Sequence, residues 1–448
     1  MTQTARINPP TLPHSLEAER SVLGGVLLDN EVLADVGGSL QERDFYRKAH
    51  SRIWKAMLDL YSENKPVDLV TVTEKLTEKN QLEDVGGFEY LASLDASVPT
   101  AAHAETYARI VRERAMVRRL VQAAERIYTQ GTTSPGDVGE FIEQAENSVF
   151  QIAQEQDNRE LRHVKGVTLD VFGILEERSK QESDLTGIPT GYVQLDRMTA
   201  GLQRRDLIIV AARPSMGKTA LALNIAANAA KKGTGAKVAI FSMEMSTEAL
   251  VMRMLSSEAR IPSDELRTGK VRNPSKLADS AERLSQTAIY IDDTPAIGLN
   301  QIRSKCRRMK AKVGLDLIIV DYLQLMSGPK SDNREQEIAS ISRGMKALAM
   351  DLNAPVIALS QLNRALERRE NKRPQLADLR ESGAIEQDAD IIMFIHREER
   401  YRQQEDASVD DTGLAEIIVA KQRNGPTGTA KLVFFEEFTR FDNYATDP

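Results

Sequence analysis

A chain of 448 residues, 41% hydrophobic and 28% charged, is long enough for two or three separately cored globular domains. Its net charge of −7 argues against a protein that coats nucleic acid with its whole surface. A locally basic channel stays open to it, because charges are screened over only about 8 Å at physiological salt. The single cysteine, Cys306, excludes an internal disulfide framework and a cysteine-built zinc site.

The first residues, MTQTARINPP, lack the apolar core of a signal peptide, and no apolar run is long enough to span a bilayer. The five histidines, His14, His50, His103, His163 and His396, show no metal-ligand spacing. These features point to a reducing cytoplasm and away from a membrane.

Residues 1–153 read as all-helical. Ser15 is a capping-type serine, and Val22, Leu23, Val26 and Leu27 then recur at helical spacing. Amphipathic runs follow at Ser51–Tyr61, Val70–Lys79 and Ala104–Gln130, with breaks expected at Val85–Gly87, Ser97–Thr100 and Gly131–Pro135. No catalytic constellation stands out in this part, so its plain reading is a scaffold or docking domain. Residues 154–185 read as a linker: Gln154–Arg162 is polar, and Leu169, Phe172 and Leu175 then form one stripe of a short helix. Such a stripe must be buried somewhere, against its own chain or against a neighbouring subunit. The pattern does not choose between them.

From residue 186 to the end, strands and helices alternate. Expected strands are Asp206–Ala211, Lys237–Ser242, Ile289–Asp292, Leu317–Asp321, Val356–Ser360, Asp390–His396, Glu416–Lys421 and Leu432–Phe435. Near-continuous apolar runs such as Leu317–Val320 indicate strands buried on both faces of a mainly parallel sheet. The last two, joined around Asn424-Gly425, look like a hairpin closing one edge.

The segment Ala212–Thr219 follows the strand Leu207–Ala211 and precedes an alanine-rich helix that Gly233 would end. That strand, turn and helix context identifies a phosphate cradle of the P-loop kind, with backbone N–H groups and a helix N-terminus facing the phosphates. The nucleotide-binding set is Ser215, Met216, Gly217, Lys218, Thr219 and Ala220. Gly217 allows close backbone approach, Lys218 reaches the β- and γ-phosphates of ATP, and Thr219 offers a hydroxyl to Mg²⁺. Ala212 stands where the pattern has glycine, which is tolerable if its φ is negative.

Two carboxylates complete this chemistry. Asp321 ends the strand Leu317–Val320, the position of an aspartate that holds the Mg²⁺ water shell. A buried strand-end aspartate needs a partner for its charge. Glu244 follows Lys237–Ser242, and an acid leaving the neighbouring strand's C-terminal end is placed to orient and deprotonate the attacking water. Its competing reading is a solvated loop glutamate.

Further segments match one family together and in order: Thr186–Tyr192 with Leu195-Asp196, Phe241–Ser246, Ile319–Leu325, Leu359–Arg364, Asp378–Asp390 and Ala420–Gly425. With the N-terminal helix at Leu16–Gly25, the chain resembles bacterial replicative DNA helicases of the DnaB type over almost its whole length. The resemblance implies a RecA-like P-loop ATPase core of α/β class, preceded by an all-α domain and a linker helix. It also implies a homohexameric ring that uses ATP to move 5′ to 3′ on single-stranded DNA and part forked duplex, acting in the cytoplasm on the nucleoid.

Under the resemblance, Gln361 senses the γ-phosphate. Arg423 is an arginine finger for a neighbour's nucleotide, and Lys421 stands beside it. Without it, Gln361 and Arg423 are ordinary polar residues at strand ends. The resemblance places DNA-backbone contacts at Arg380, Glu381 and Gly383. Arg364, Arg368, Arg369, Lys372 and Arg373 are a further basic run, interrupted by Glu367 and Glu370, for which a solvated face is the plain reading. The family also implies that the linker helix docks on the adjacent subunit and that the N-terminal collar receives primase. Whether a helicase loader is needed stays open. The competing class is a RecA-type recombinase or repair ATPase, and a third is a nucleotide-gated scaffold. Intact Glu244, Gln361 and Arg423 argue against the scaffold.

Overall fold

The computed structural model describes residues 11–448 except 97, 99, 134–135, 155–163, 180–184, 232, 328–333, 380–382, 406–411 and 446–448. The chain forms two compact units, Met1–Val164 and Lys165–Pro448. Among the described residues no helix is long and apolar enough to cross a membrane.

The first unit is helical: α1 (Leu16–Leu28), α2 (Glu31–Val36), α3 (Lys48–Ser62), α4 (Leu69–Glu78), α5 (Leu82–Val85), α6 (Gly87–Ala96), α7 (Ala104–Thr133) and α8 (Val138–Gln154). Ser15 caps α1 as its sequence suggests, its hydroxyl accepting the Ala18 N–H at 3.3 Å. Val22, Leu23, Val26, Ile53, Trp54 and Met57 form the core. The helix expected to stop before Gly131 continues to Thr133. A β-carbon on Gly131 would lie 3.2 Å from the Phe141 ring, so the glycine makes room for α8 and does not break α7.

The second unit carries α9 (Val164–Ser179, starting one residue before it), α10 (Val193–Thr199), α11 (Lys218–Ala230), α12 (Thr247–Ala259), α13 (Ser263–Thr268), α14 (Pro274–Ser285), α15 (Leu299–Lys312), α16 (Arg334–Leu352), α17 (Gly383–Asp388) and α18 (Glu398–Glu405). Its strands are β1 (Leu207–Ala212), β2 (Val238–Ser242), β3 (Ile289–Asp292), β4 (Leu317–Asp321), β5 (Val356–Gln361), β6 (Ile391–His396), β7 (Leu414–Gln422), β8 (Gly428–Phe435) and β9 (Arg440–Asn443). They make one sheet in the order β3-β2-β4-β5-β1-β6-β7-β8-β9. The strands from β3 to β6 are parallel, and β7, β8 and β9 are added antiparallel. Side chains alternate between two buried layers: Ile208 and Val210 pack towards α11, while Leu207, Ile209 and Ala211 pack towards α16.

Two expectations change. The hairpin β7–β8 does not close the sheet edge, because β9 adds a further strand with Phe441 as its buried residue. Also, β2 is not the spatial neighbour of β1: β4 and β5 lie between them.

Candidate active site

β1 runs into the turn Arg213–Gly217, and α11 begins at Lys218. Ser215 (φ 65°) and Gly217 (φ 94°) take left-handed backbone, which folds the turn's N–H groups inward. Glycine at 217 is required twice, by this φ and because a β-carbon would sit 2.9 Å from the Phe441 ring. Ala212 ends the strand and is not among the residues of positive φ, so its side chain is accommodated. Arg213 is buried and ties the turn to the segment after β5, donating to the Leu362 carbonyl and to Glu367, each at 2.8 Å.

A cavity of about 430 Å³ opens over this turn. Ser215, Gly217, Lys218, Thr219 and Ala220 line it, joined by Glu244 and Gln361. Gln361 arrives by the β1–β5 pairing, where it is the partner of Ala212. Glu244 arrives although β2 is three strands away: the Met243 N–H donates to the Asp321 carbonyl at 2.9 Å, which carries the turn over the end of β4. The Met216 side chain is buried in the core beside α11, and it is its backbone that belongs to the turn.

Asp321 lies just behind the cavity wall, 3% exposed. The Thr219 hydroxyl donates to its Oδ2 at 2.6 Å, and Lys218 Nζ stands 3.9 Å from Oδ1. Oδ1 itself is buried and has no hydrogen-bond partner. Burial lowers the pKa of Lys218, and Asp321 and Glu244 partly offset that. The Lys218 ammonium also sits 4.2 Å from the centre of the Tyr322 ring. Burial raises the Tyr322 phenol, with Glu244 and Asp321 adding to it. Tyr322, Arg253, Glu436 and Thr439 also line the cavity and were missed by sequence reasoning. Only Tyr322 carried a usable signal, as the residue directly after Asp321.

The donor set fits Mg²⁺. An unsatisfied buried carboxylate oxygen beside a threonine hydroxyl is hard oxygen chemistry, and Mg²⁺ typically takes one or two protein ligands with water and phosphate completing its shell. Among the described residues no group of three or more His, Cys, Asp or Glu could hold a metal.

Lys421 and Arg423 are not brought to this cavity. At the end of β7, Gln422 pairs with Ile391, which pairs with Ile208 near the start of β1. Ala212 and the phosphate turn are at the other end of β1, so Arg423 lies at the opposite end of the strands, roughly 15 Å of strand away. There it faces a separate cavity of about 310 Å³ with Asp206 and Asp390. Arg380 and Glu381 fall outside the described residues. Gly383 is exposed at the first position of α17. In the upstream basic run, Arg369 pairs with Asp378 at 2.5 Å and Arg373 with Glu416, so both serve the chain's own fold, while Arg364 and Arg368 are exposed. On α9, Phe172 and Leu175 are 62% and 52% exposed.

Residues 187–443 match the DnaB-like helicase C terminal domain, and residues 11–113 match the DnaB-like helicase N terminal domain. The replicative DNA helicase DnaB of Geobacillus stearothermophilus is 48% identical over 435 residues, 96% of this chain and 95% of the relative. The replicative DNA helicase DnaC of Bacillus subtilis (strain 168) is 48% identical over 444 residues, covering 98% and 97%. Among solved structures, a DnaB-like replicative helicase described with its interactions with primase aligns with a TM-score of 0.76 and 33% identity. It covers 96% of this chain and 100% of its own. A second solved structure, an ATPase domain alone, aligns at 0.59 and 36% identity, over 64% of this chain and 100% of its own. Full-length likeness to helicases replaces the recombinase reading, and with the phosphate turn it places the chain in the DnaB-like family of replicative, ATP-dependent DNA helicases.

Proposed function

We propose that this chain works as a homohexameric ring in the cytoplasm, hydrolysing ATP with Mg²⁺ to move 5′ to 3′ along single-stranded DNA and open the duplex at replication forks. The observation that carries the reading is the placement of Arg423 at the end of the strands opposite the phosphate turn. A guanidinium so far from its own phosphate site suits a nucleotide bound by another copy, and head-to-tail contacts of that kind form a ring when the rotation between copies closes.

Within one site the residues divide the work. Backbone N–H groups of Ser215–Gly217 and the start of α11 hold the phosphates, and Lys218 neutralises their charge. Thr219 and Asp321 would hold Mg²⁺, which when bound shields the phosphate charge. Glu244 orients the attacking water and accepts its proton, and Gln361 senses the γ-phosphate at the end of β5. Arg423, with Lys421, arrives from the next copy and stabilises charge on the transferred group. Arg380, Glu381 and Gly383 contact the DNA backbone, which a sequence-indifferent translocase requires. Residues 1–153 act as the collar that receives primase, 154–185 as the linker and 186–448 as the motor. The exposed Phe172 and Leu175 support docking of α9 on the adjacent copy.

The test is the hydrolysis rate per chain over a dilution series, with assembly followed by sedimentation. The rate per chain should collapse as rings dissociate, while the lone chain still binds ATP. A lone chain that hydrolyses at the ring's rate would contradict the shared site.

A further inference from the structure

Lys421 and Arg423 are two residues apart on one strand path, and a regular strand would give them the face of Ile417 and Val419. Those two pack towards α11, whereas Ile418 and Ala420 pack on the opposite layer with Ile385 of α17. The β6–β7 pairing shifts at this point: Ile392 faces Lys421 and Met393 faces Val419, leaving Ala420 as an extra residue. One extra residue reverses the side-chain alternation beyond it. Gln422 accordingly reaches back to the α10 side, its Nε2 donating to the Met198 carbonyl at 3.0 Å. The two cations are handed to α17 instead. Lys421 Nζ donates to the Glu386 carbonyl, and Arg423 Nη2 donates to the Gln387 carbonyl at 2.6 Å. Cations at the carbonyl end of a helix are favourably placed.

The second support of Arg423 is Asp390. Arg423 Nη1 donates to Asp390 Oδ1 at 3.2 Å, and its backbone N–H donates to the Asp390 carbonyl at 3.0 Å. Asp390 is itself held: its Oδ2 accepts the Leu207 N–H at 2.8 Å and Lys346 Nζ at 2.5 Å. The carboxylate is only 5% exposed, while the Arg423 side chain is 46% exposed. A fixed, buried anion under a half-exposed guanidinium sets the direction of the arginine and leaves its tip reachable.

We propose that Asp390, with the last carbonyls of α17, is the positioning residue that aims Arg423 at the nucleotide of the adjoining copy. This rests on the reading that Arg423 acts in trans. Asp390→Asn keeps the shape and can still accept the Leu207 N–H, but removes the charge that orients the guanidinium. In assembled rings its kcat for ATP should fall about 10- to 100-fold, a loss typical of misaligned catalytic groups, with ATP affinity within about threefold.

Mixed rings separate positioning from damage. Equal amounts of Asp390→Asn and Lys218→Ala should regain hydrolysis, because about a quarter of head-to-tail interfaces (one half times one half) join an intact phosphate turn to an intact finger. Asp390→Asn mixed with Arg423→Ala should regain none, since both defects lie on the same side of the interface. Recovery in that second mixture would overturn the proposal. So would wild-type kcat in Asp390→Asn, or a variant that loses folding, ring assembly or ATP binding along with turnover. If Arg423→Ala alone keeps full turnover, or is not rescued by Lys218→Ala, the trans reading fails first. If Arg423→Ala behaves as expected and Asp390→Asn does not, only the role of Asp390 fails.

Discussion

The hydroxyl of Thr219 donates a 2.6 Å hydrogen bond to Oδ2 of Asp321, joining the first turn of α11 to the end of β4. Because β5 separates β4 from β1, this bond crosses the sheet and fixes the phosphate turn against the carboxylate. Thr219→Val keeps the shape and removes the donor. Hydrogen bonds to charged groups contribute about 1.5–3 kcal/mol, so the nucleotide-free protein should lose stability of that order in denaturant titration. The Mg²⁺ concentration for half-maximal hydrolysis should rise at least tenfold.

Glu244 reaches the cavity through a turn pinned to the Asp321 backbone, and on the proposed function it takes the proton from water. Glu244→Gln should lower single-turnover hydrolysis by about 10²- to 10⁴-fold, the usual worth of a general base. Nucleotide affinity, measured by equilibrium binding, should stay within about threefold. Equal losses of both would make Glu244 a binding residue.

At Gly217 a β-carbon meets two penalties, left-handed backbone and the Phe441 ring at 2.9 Å. Gly217→Ala should cost about 1–2 kcal/mol from the backbone alone. It should also push Phe441 off the turn, weakening ATP binding as measured by the thermal shift that the nucleotide induces. Ser215 shares the left-handed backbone without glycine, so Ser215→Gly should be neutral or stabilising.

Asp206 beside Asp390 titrates high, pushed up to about 6 by burial and then by the Asp390 charge, with Lys346 and Arg423 partly offsetting. Its protonated form is therefore favoured in the folded chain. The stability this supplies is full below the ordinary value of 3.8 and is lost as pH rises through 6. Asp206→Asn should raise the unfolding midpoint of the second unit at pH 7, by at most about 3 kcal/mol equivalent. The advantage should shrink below pH 6 and vanish below about pH 4. A gap independent of pH would show that the carboxylate charge is not the cause.

The phosphate turn was legible because its strand, turn and helix are consecutive in the chain, so local spacing carries the geometry. The strands at Ile289–Asp292 and Leu317–Asp321 were readable to the residue, their ends marked by a change from apolar to acidic. β9 was not legible: Arg440–Asn443 has one apolar residue among four, and its strand state depends on pairing with β8. Neither was the inward turn of Met216, which follows from the left-handed residues on either side. Strand order decides which acids meet the phosphate turn, and order is a property of the assembled sheet. The opposite-end position of Arg423 follows from β7 running antiparallel, and its orientation from one extra residue at Ala420. No local pattern announces a bulge of that kind.

The most direct test of the whole account is ATP-dependent strand separation on forked duplexes that carry a free 5′ or a free 3′ single-stranded tail. The account predicts separation with the 5′ tail, little with the 3′ tail alone, and none for Lys218→Ala on either. DNA-stimulated ATP hydrolysis without strand separation on either fork, by fully assembled wild-type rings, would contradict it.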